Sequence, residues 1–437
     1  MADIHARRAN AVKDILQHVA EQLEVDIGFE LWDGTFIPEH MNQPGDLRIV
    51  INDQTAPTRL LRKPGLTTLI ELYISGAIDL AGGTFFDLVE KRSKVRTRDI
   101  RKKLKLSRLA LNAWPILRAP VIGTLNAYAE AEDQAGGKGG SRVERNKRNI
   151  AHHYDVSNDF YRLFLDPEMV YSCGYFRDWS NDIATAQIDK LDMICRKLRL
   201  KPGERMLDIG CGWGALACHA ASNYGVEVHG VTLSEEQFAL ARDRVIERGL
   251  SDKVTIEIRD FSELAGGFDK IASIGMFEHV GLENHSTYFS TVHRLLRPRG
   301  VYLHHAIARR GKKTDKAFQK MRPEYKAMRQ FIFPGGEVDH IGMTAQNLEG
   351  HGFEVHDVEA WREHYAQTCK LWAERLMAAK DDAVEQVGSE TFRLWVLYLS
   401  GVSMAFQRGT LGIFQTVATR RDRGPSGLPP TRADLYR

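Results

Sequence analysis

The stretch MLDIGCGWGALACHAA, Met206–Ala221, decides the fold of this chain of 437 residues. Its apolar residues at the start are typical of the end of a buried strand, and its three glycines predict a tight turn. The residues from Ala215 to Tyr224 are typical of a helix that opens directly after that turn. Because glycine lets the backbone approach a ligand closely, this strand, turn and helix indicate a binding site for a nucleoside cofactor.

Two neighbouring features separate the candidate cofactors. Gly210, Gly212 and Ala215 satisfy the G-x-G-x-x-A spacing of dinucleotide-binding folds. Against NAD, Asp208 precedes the turn, where a carboxylate suits a cationic amino acid moiety better than a pyrophosphate. The next predicted strand, Val226–Val231, is followed by TLSEEQ and lacks the acidic residue that usually binds the ribose at the strand tip. The pattern therefore favours S-adenosylmethionine.

Length, cysteine content and hydropathy bound the class of protein. A chain of this length predicts two domains. The five cysteines include no C-x-x-C pair, so neither a metal site nor a disulfide is expected. The N-terminus MADIHARRANAV has no apolar signal core, and no stretch reaches the roughly 18 apolar residues of a membrane span. These features predict a soluble, cytoplasmic protein.

Charge is distributed unevenly, although the net charge is only +3. Lys91–Arg108 contains ten Lys or Arg residues against the single Asp99, and the apolar stretch LALNAWPILRAP follows it. A basic segment joined to an apolar one fits an anionic membrane surface. A solvated charged helix and a nucleic-acid contact are the alternatives. No base-reading motif such as N-P-P-Y accompanies the segment, so nucleic acid is not expected as a partner.

The pattern along the chain predicts four parts. They are a small α+β domain over 1–130, a Gly-rich flexible linker over 131–145, an α/β domain over 146–420 and a disordered tail over 421–437. In the first part, DIGFELWDGT and DLRIVIND predict strands, with a turn at Asp33-Gly34, and TTLIELYISGAI predicts a helix. In the third, strands alternate with helices, which predicts a parallel sheet covered on both faces. Ser234 with Gln237 predicts a capping box.

Candidate catalytic groups follow the predicted strands, where ligands bind in such sheets. GMFEHVG places Glu278 and His279 after one strand, and HHAIARR places His304 and His305 at the end of the next. Neighbouring residues of a strand point to opposite faces, so at most one of the two histidines faces the site and the other is a packed or hydrogen-bonded histidine. A Glu and a His at adjacent strand ends form an acid/base pair.

Two further side chains are ambiguous from the residues alone. Cys173 lacks the visible base and the lowered pKa that a nucleophile requires, so its backbone is expected to matter more than its sulfur. Tyr365 lies in WREHYAQTCKLW, which predicts a helix that either brings the phenol over the site or buries it in the core.

Seven motifs, in this order, resemble the cyclopropane-fatty-acyl-phospholipid synthases and the related mycolic acid methyltransferases: HHYDVSNDFY, YSCGYF, LDIGCGWG, GVTLSEEQ, GMFEHVG, HHAIARRGKKTD and FIFPGG. The resemblance covers about Asn146 to Arg420, and the N-terminal part is more faintly similar to the lipid-associated domain of the bacterial synthases. It implies a Rossmann-like, S-adenosylmethionine-dependent methyltransferase sheet with helical lid insertions. The implied reaction passes a methyl group to the cis double bond of an unsaturated phospholipid acyl chain and closes a cyclopropane ring. The alternative is the same methyl transfer giving a methyl- or methylene-branched chain.

The resemblance also implies the site residues and partners. A bound bicarbonate would be held by Glu278, His305, Tyr365 and the backbone of Cys173 and Ile307. The implied cofactor residues are Tyr171, Ser172, Met206, Leu207, Asp208, Ile209, Gly210, Cys211, Gly212, Trp213, Gly214, Thr232, Leu233, Gln237, Asp260, Phe261 and Ile274. The implied partners are acyl chains in the membrane and its anionic surface, with peripheral attachment to the inner membrane surface, and a homodimer is left open.

Two departures from the family pattern stand out. Val402 occupies the position at which some members have a cysteine proposed to be catalytic, which excludes a cysteine nucleophile there. The segment KAFQKMRPEYKAMRQ is longer than in the familiar synthases, so a different lid over the acyl chain is expected.

Overall fold

The computed structural model describes residues 2–23, 26–91, 113–117, 156–331 and 336–436. The chain divides into two compact units. The first comprises Met1–Glu130, Arg322–Ala327 and Gly388–Gly401, and the second comprises Ala131–Met321, Met328–Val387 and Val402–Arg437. The predicted linker 131–145 and the basic segment beyond Lys91 lie outside the described residues.

The first unit contains a four-stranded sheet in the order β2-β1-β3-β4. Its strands are β1 Gly28–Leu31, β2 Phe36–Ile37, β3 Arg48–Ile51 and β4 Ile78–Ala81, and its helices include α1 Ala2–Leu23, α2 Ala56–Arg62, α3 Leu66–Ile74 and α4 Phe85–Glu90. The turn at Asp33-Gly34 forms with Gly34 at φ +81°. The helix predicted for TTLIELYISGAI ends early, at Ile74, because Gly76 adopts φ +74° and Ile78, the last residue of the stretch, begins β4.

The second unit contains a seven-stranded sheet in the order β10-β11-β9-β8-β5-β6-β7. Its strands are β5 Arg205–Ile209, β6 Glu227–Thr232, β7 Val254–Ile258, β8 Phe268–Ile274, β9 Leu296–Arg309, β10 Phe353–Ala360 and β11 Leu411–Arg420. The strands from β5 to β9 pair in parallel, as the alternating pattern predicts. The sheet is not wholly parallel, since β11 runs antiparallel to both β9 and β10.

Helices flank this sheet, and several of them begin at a side-chain cap encoded in the sequence. The helices from Asn158 onward are α5 Asn158–Phe164, α6 Ile183–Leu198, α7 Ala215–Tyr224, α8 Glu235–Glu247, α9 His285–Leu295, α10 Asp315–Gln319, α11 Pro323–Phe331, α12 Ile341–Gly350, α13 Arg362–Ala378 and α14 Lys380–Gln407. Ser234 caps α8 by accepting from the Gln237 N–H at 3.3 Å. The predicted capping box is only half formed, because the Gln237 side chain accepts from Thr232 Oγ1 at 2.8 Å instead. None of the described helices combines the length and apolar character that crossing a bilayer requires.

Residues of β5 pack into two separate hydrophobic clusters. Met206 joins the cluster that contains Ala217 of α7, and Leu207 joins the one that contains Tyr288 of α9. This alternation is the period of a strand buried on both faces. After these buried residues, β5 ends at Ile209, and the glycine turn begins at the carboxyl end of the sheet.

The tail beyond residue 420, which its composition predicts to be disordered, makes defined contacts with the rest of the second unit. Within 421–436, Leu435 is buried, and Asp434 pairs with Arg199 at 3.0 Å. Arg432 pairs with Asp357 of β10 at 2.5 Å. The buried Leu435 and several ion pairs, these two among them, therefore anchor a Pro/Gly-rich segment that has little secondary structure of its own.

Candidate functional site

A cavity of about 150 Å³ lies at the carboxyl ends of β5, β6 and β8, where the chain order of the sheet reverses. This is the position at which open α/β sheets bind their ligands. All but three of the predicted cofactor residues line it: Tyr171, Ser172, Asp208, Ile209, Gly210, Cys211, Gly212, Trp213, Thr232, Leu233, Gln237, Asp260, Phe261 and Ile274.

The three exceptions have structural reasons. Met206 and Leu207 are fully buried in the clusters on either side of β5. Gly214 is the N-cap of α7 at φ +80°, and a Cβ there would lie 3.2 Å from the Cβ of Ala241. Met206, Leu207 and Gly214 therefore determine how the strand and the turn pack, and they do not form the cavity wall.

The first glycine of the turn is required by its surroundings. Gly210 has φ +76°, a conformation that L side chains rarely adopt. A Cβ at this position would also lie 2.9 Å from Met276, which lines the cavity from the loop after β8. Glycine thus lets the loops after β5 and β8 approach each other at the cavity.

Two buried titratable side chains, Asp208 and Lys190, line the cavity. Oδ2 of Asp208 is shielded from solvent and has no hydrogen-bond partner among the described residues, and desolvation raises the pKa of this carboxyl to about 7. Lys190 of α6, which favours the ionised carboxylate, donates from Nζ to Ser172 Oγ at 2.9 Å. Burial lowers the pKa of Lys190 to about 8. A cationic group of a ligand would supply the interaction that Asp208 lacks.

Other polar side chains that line the cavity already have hydrogen-bond partners within the protein. Asp260 accepts from the N–H and the hydroxyl of Ser262 at 2.9 and 2.5 Å, which fixes the turn after β7. Thr232 donates its hydroxyl proton to Gln237. Gln237 keeps its amide N–H groups as donors, a role different from the acidic residue of dinucleotide sites.

Glu278 lies in a 3-10 turn, Phe277–His279, directly after β8. Its Oε1 accepts a hydrogen bond from the Ile307 N–H at 2.6 Å, which joins the ends of β8 and β9. Its Oε2 is shielded from solvent and unpartnered within the described part of the chain. Desolvation raises the pKa of Glu278 to about 7, although the bond from Ile307 favours the ionised form.

His304 and His305 of β9 point to opposite faces, as expected for neighbours on a strand. His304 bonds through Nδ1 to the Tyr302 hydroxyl at 2.9 Å and packs against Phe277, and burial lowers its pKa to about 3. It is the packed, hydrogen-bonded histidine. His305 lies on the other face against Trp361, with ring centroids 5.3 Å apart.

Trp361 connects the remaining predicted residues. Its carbonyl accepts the Tyr365 N–H at 3.0 Å and lies 3.8 Å from the Cys173 sulfur, while its ring contacts His305. Burial raises the pKa of the Cys173 thiol well above its usual value, so this sulfur is unsuited to nucleophilic attack. The ring of Tyr365 packs on Phe406 of α14 at 4.8 Å.

Sequence reasoning missed Lys190, which lies on the buried face of α6. A lysine in a helix with many charged residues is expected to be exposed to solvent. The spacing of Ile183, Lys190, Ile194 and Lys197, however, puts all four on one face of the helix. That spacing was the signal that could have identified both lysines as buried. Met169 and Arg259 also line the cavity without a motif to mark them, and Met276 lines it from within the motif GMFEHVG.

The sheet order, the glycine turn and the cavity at the switch point define a Rossmann-like S-adenosylmethionine-dependent methyltransferase. The family profile "Mycolic acid cyclopropane synthetase" matches residues 141–416, and the chain belongs to this family. Its enzyme class is accordingly that of the cyclopropane-synthase-type methyltransferases.

Individual relatives agree with this assignment. The chain is 44% identical over 295 residues to the "Probable fatty acid methyltransferase" of Pseudomonas putida, covering 66% of this chain and 73% of the relative. It is 42% identical over 268 residues to the cyclopropane-fatty-acyl-phospholipid synthase of Escherichia coli K12, covering 61% and 66%. Among solved structures, the cyclopropane synthase MmaA2 from Mycobacterium tuberculosis matches with TM-score 0.60 and 33% identity, over 62% of this chain and 98% of that one. CmaA1 complexed with SAH and CTAB matches with TM-score 0.59 and 35% identity, over the same shares.

Proposed function

We propose that this protein methylates the cis double bond of an unsaturated phospholipid acyl chain, with S-adenosylmethionine as donor, and that proton loss from the added carbon closes a cyclopropane ring. Membership of the family supports the reaction class, and the E. coli relative is named for a phospholipid substrate. The observation that carries the proposal is the buried carboxyl group of Glu278, which accepts from the Ile307 N–H, two residues beyond His305, and lies in sequence between the cavity residues Met276 and His279.

The cavity residues fit S-adenosylmethionine. The unpartnered oxygen of Asp208 suits the cationic amino group, and the turn at Gly210 leaves room for close backbone approach. When bound, the cofactor supplies an electrophilic methyl group. The residues of the chain hold it at the end of the sheet and exclude water from the reacting carbon, which protects an electron-deficient centre from side reactions.

The group around Glu278 fits a bicarbonate ion, which has both a hydroxyl donor and charged acceptor oxygens. The Oε2 of Glu278 offers an acceptor and His305 offers a ring nitrogen, and neither has a partner among the described residues. The Ile307 N–H already donates to Glu278, so Ile307 would act on the anion by orienting that carboxylate. Tyr365 and the Cys173 backbone would complete the site. When bound, bicarbonate supplies a base for the proton, and a fixed anion stabilises developing positive charge.

The proposed substrate, a phospholipid acyl chain, is part of a membrane. We therefore propose peripheral attachment to an anionic inner membrane surface through the basic segment Lys91–Arg108. Of that segment, only Lys91 is among the described residues. A homodimer stays a prediction.

Lipid analysis of cells tests the reaction. Cells expressing the protein are given monounsaturated fatty acids and methionine with a fully deuterated methyl group, with cells expressing Glu278→Gln as the control. Ring closure removes one of the three deuterons, so we expect a phospholipid chain with two deuterons, both on the ring methylene, and an upfield cyclopropane signal in its ²H NMR spectrum. A labelled methyl or exomethylene branch would exclude ring closure, and absence of label from lipids would refute the proposed function.

A further inference from the structure

Side chains from three adjacent strands lie in one row behind His305. Gln415 of β11 is the register partner of His305 on β9 and of Glu359 on β10. Lys197 of α6 reaches this row from the helix layer. Its Nζ donates to Gln415 Oε1 at 2.7 Å and also to Glu359 Oε2. The Gln415 amide lies 3.0 Å from Nδ1 of His305, which completes a continuous series of hydrogen bonds.

Chemistry fixes the direction of every bond in this row. A lysine ammonium has donors only, so the Gln415 atom that faces Lys197 must be the carbonyl oxygen. The amide nitrogen of Gln415 therefore faces His305, and an amide nitrogen can only donate. Nδ1 of His305 must then be an acceptor without a proton. The single ring proton of the neutral imidazole is left on Nε2.

The surroundings keep this imidazole neutral. The titratable groups that act on it are Lys190 and Lys197 from α6 and His304 on its own strand, and with burial they hold the pKa of His305 well below its usual value. Glu359 is paired with Lys197, and Glu278 bonds to Ile307, two residues along β9. An imidazolium would also present a second N–H to the amide N–H of Gln415, which is an unfavourable pair of donors.

Nε2 of His305 is the open end of the row. His305 is about 1% exposed, and its Nε2 has no partner within the described ranges. Lys197 and Gln415 are fully buried, and the Lys197 ammonium lies 4.9 Å from the centre of the Trp361 ring. Burying an ammonium is costly for a fold, even when the ion is paired, so a row that ends on a catalytic candidate is better explained by its effect on that residue than by stability alone.

We propose that Lys197 and Gln415, with Glu359, are positioning residues that hold His305 as the neutral tautomer protonated on Nε2. In this form His305 donates a hydrogen bond into the site and cannot accept one there. The role rests on the proposed function, because the acceptor it serves is the anion beside Glu278. The row itself, and the tautomer it enforces, can be measured without any turnover.

The test is ¹⁵N NMR of the imidazole nitrogens in the full-length protein, with the His305 signals identified by their loss in His305→Asn. We expect the wild-type ring to carry its proton on Nε2. Gln415→Glu keeps the shape and still accepts from Lys197, but its carboxylate accepts at Nδ1 and should move the proton there. Lys197→Met frees the amide to turn and should give a mixture of tautomers. Exposed Gln346→Glu and Lys201→Met are the matched controls.

Activity is measured on the same variants, together with binding of S-adenosylhomocysteine as a check on folding. Gln415→Glu is expected to lose about 10- to 100-fold in kcat, as for other residues that orient a functional histidine, with cofactor affinity retained. A wild-type ring protonated on Nδ1, or a tautomer unchanged by Gln415→Glu, would overturn the inference. A correct tautomer in a protein that forms no cyclopropane would instead refute the proposed function and leave the positioning row intact.

Discussion

At the scale of single residues, Glu278 joins the two strand ends that meet at the site. Glu278→Gln keeps an oxygen that can accept from Ile307 and changes little volume, but it removes the charge. We expect kcat to fall by about 100-fold or more, the size typical of a lost electrostatic group at a reacting centre. Binding of S-adenosylhomocysteine, measured by calorimetry, should be retained. Glu283→Gln, an exposed residue of the same loop, should be fully active, and full activity of Glu278→Gln would exclude the proposed role.

Burial of Glu278 also has a consequence for stability against pH. Its pKa is raised from the ordinary 4.5 to about 7, so the folded state favours the protonated acid. Below pH 4.5 this group costs nothing, because it is protonated in both states; the cost grows as pH rises from 4.5 to about 7 and is constant above that. Glu278→Gln should therefore be more stable than the wild type at pH 8, by up to about 3 kcal/mol, and nearly equal to it at pH 4.5. Urea unfolding at the two pH values measures this, and a difference independent of pH would contradict it.

For Cys173, in contrast to Glu278, we expect a substitution of the side chain to leave activity largely unchanged. Its thiol is buried, its pKa is raised, and it donates to the Gly174 carbonyl at 3.3 Å. A hydroxyl can make the same bond, so Cys173→Ser should keep kcat within about threefold. Thiol reagents should not modify Cys173 in the native protein. A loss of activity in Cys173→Ser with cofactor binding intact would give the sulfur a direct role.

At the scale of elements, the sequence predicts those parts that depend on local pattern. The run from Met206 to Tyr224 predicts β5, the turn and α7 correctly, because burial of a strand on both faces and a glycine turn are local signals. The antiparallel pair β10 and β11 was not predicted, since its pairing with β9 joins residues far apart in sequence. For the same reason, the sequence does not reveal a role for Gln415, because its partner His305 lies on the neighbouring strand and far away in the chain.

Helix α6 is the element that carries both buried lysines, and its start is set by one cap. Asp182 accepts from the Thr185 N–H at 2.7 Å. Asp182→Ala should lower the free energy of unfolding by about 1 kcal/mol, the usual effect of losing such a cap. Urea unfolding measures the change, with the exposed Asp252→Ala as the control. An unchanged midpoint would mean that tertiary packing alone holds the first turn.

At the scale of the whole molecule, the family profile and the sheet order establish the class of enzyme. The proposed contact with a membrane is inferred only from the composition of one segment. The segment Lys91–Arg108 contains ten basic residues, and vesicles offer the anionic surface that it should bind. Each cation near such a surface contributes about 1 kcal/mol, and reversing a charge adds repulsion. The double variant Lys102→Glu, Lys103→Glu should therefore bind phosphatidylglycerol vesicles at least 10-fold more weakly in low salt.

Salt and a matched variant separate this contact from a general effect of net charge. The Debye length is about 10 Å at 0.1 M and about 3 Å at 1 M salt, so the difference between variant and wild type should shrink as salt increases. Lys312→Glu, Lys313→Glu makes the same change in net charge at exposed positions of the second unit and should bind vesicles like the wild type. Equal binding by all three proteins would leave Lys91–Arg108 as a solvated charged segment, and equal weakening of both variants would assign the binding to net charge. Only a loss that is confined to the first variant, and that becomes smaller relative to the wild type as salt increases, supports attachment through this segment.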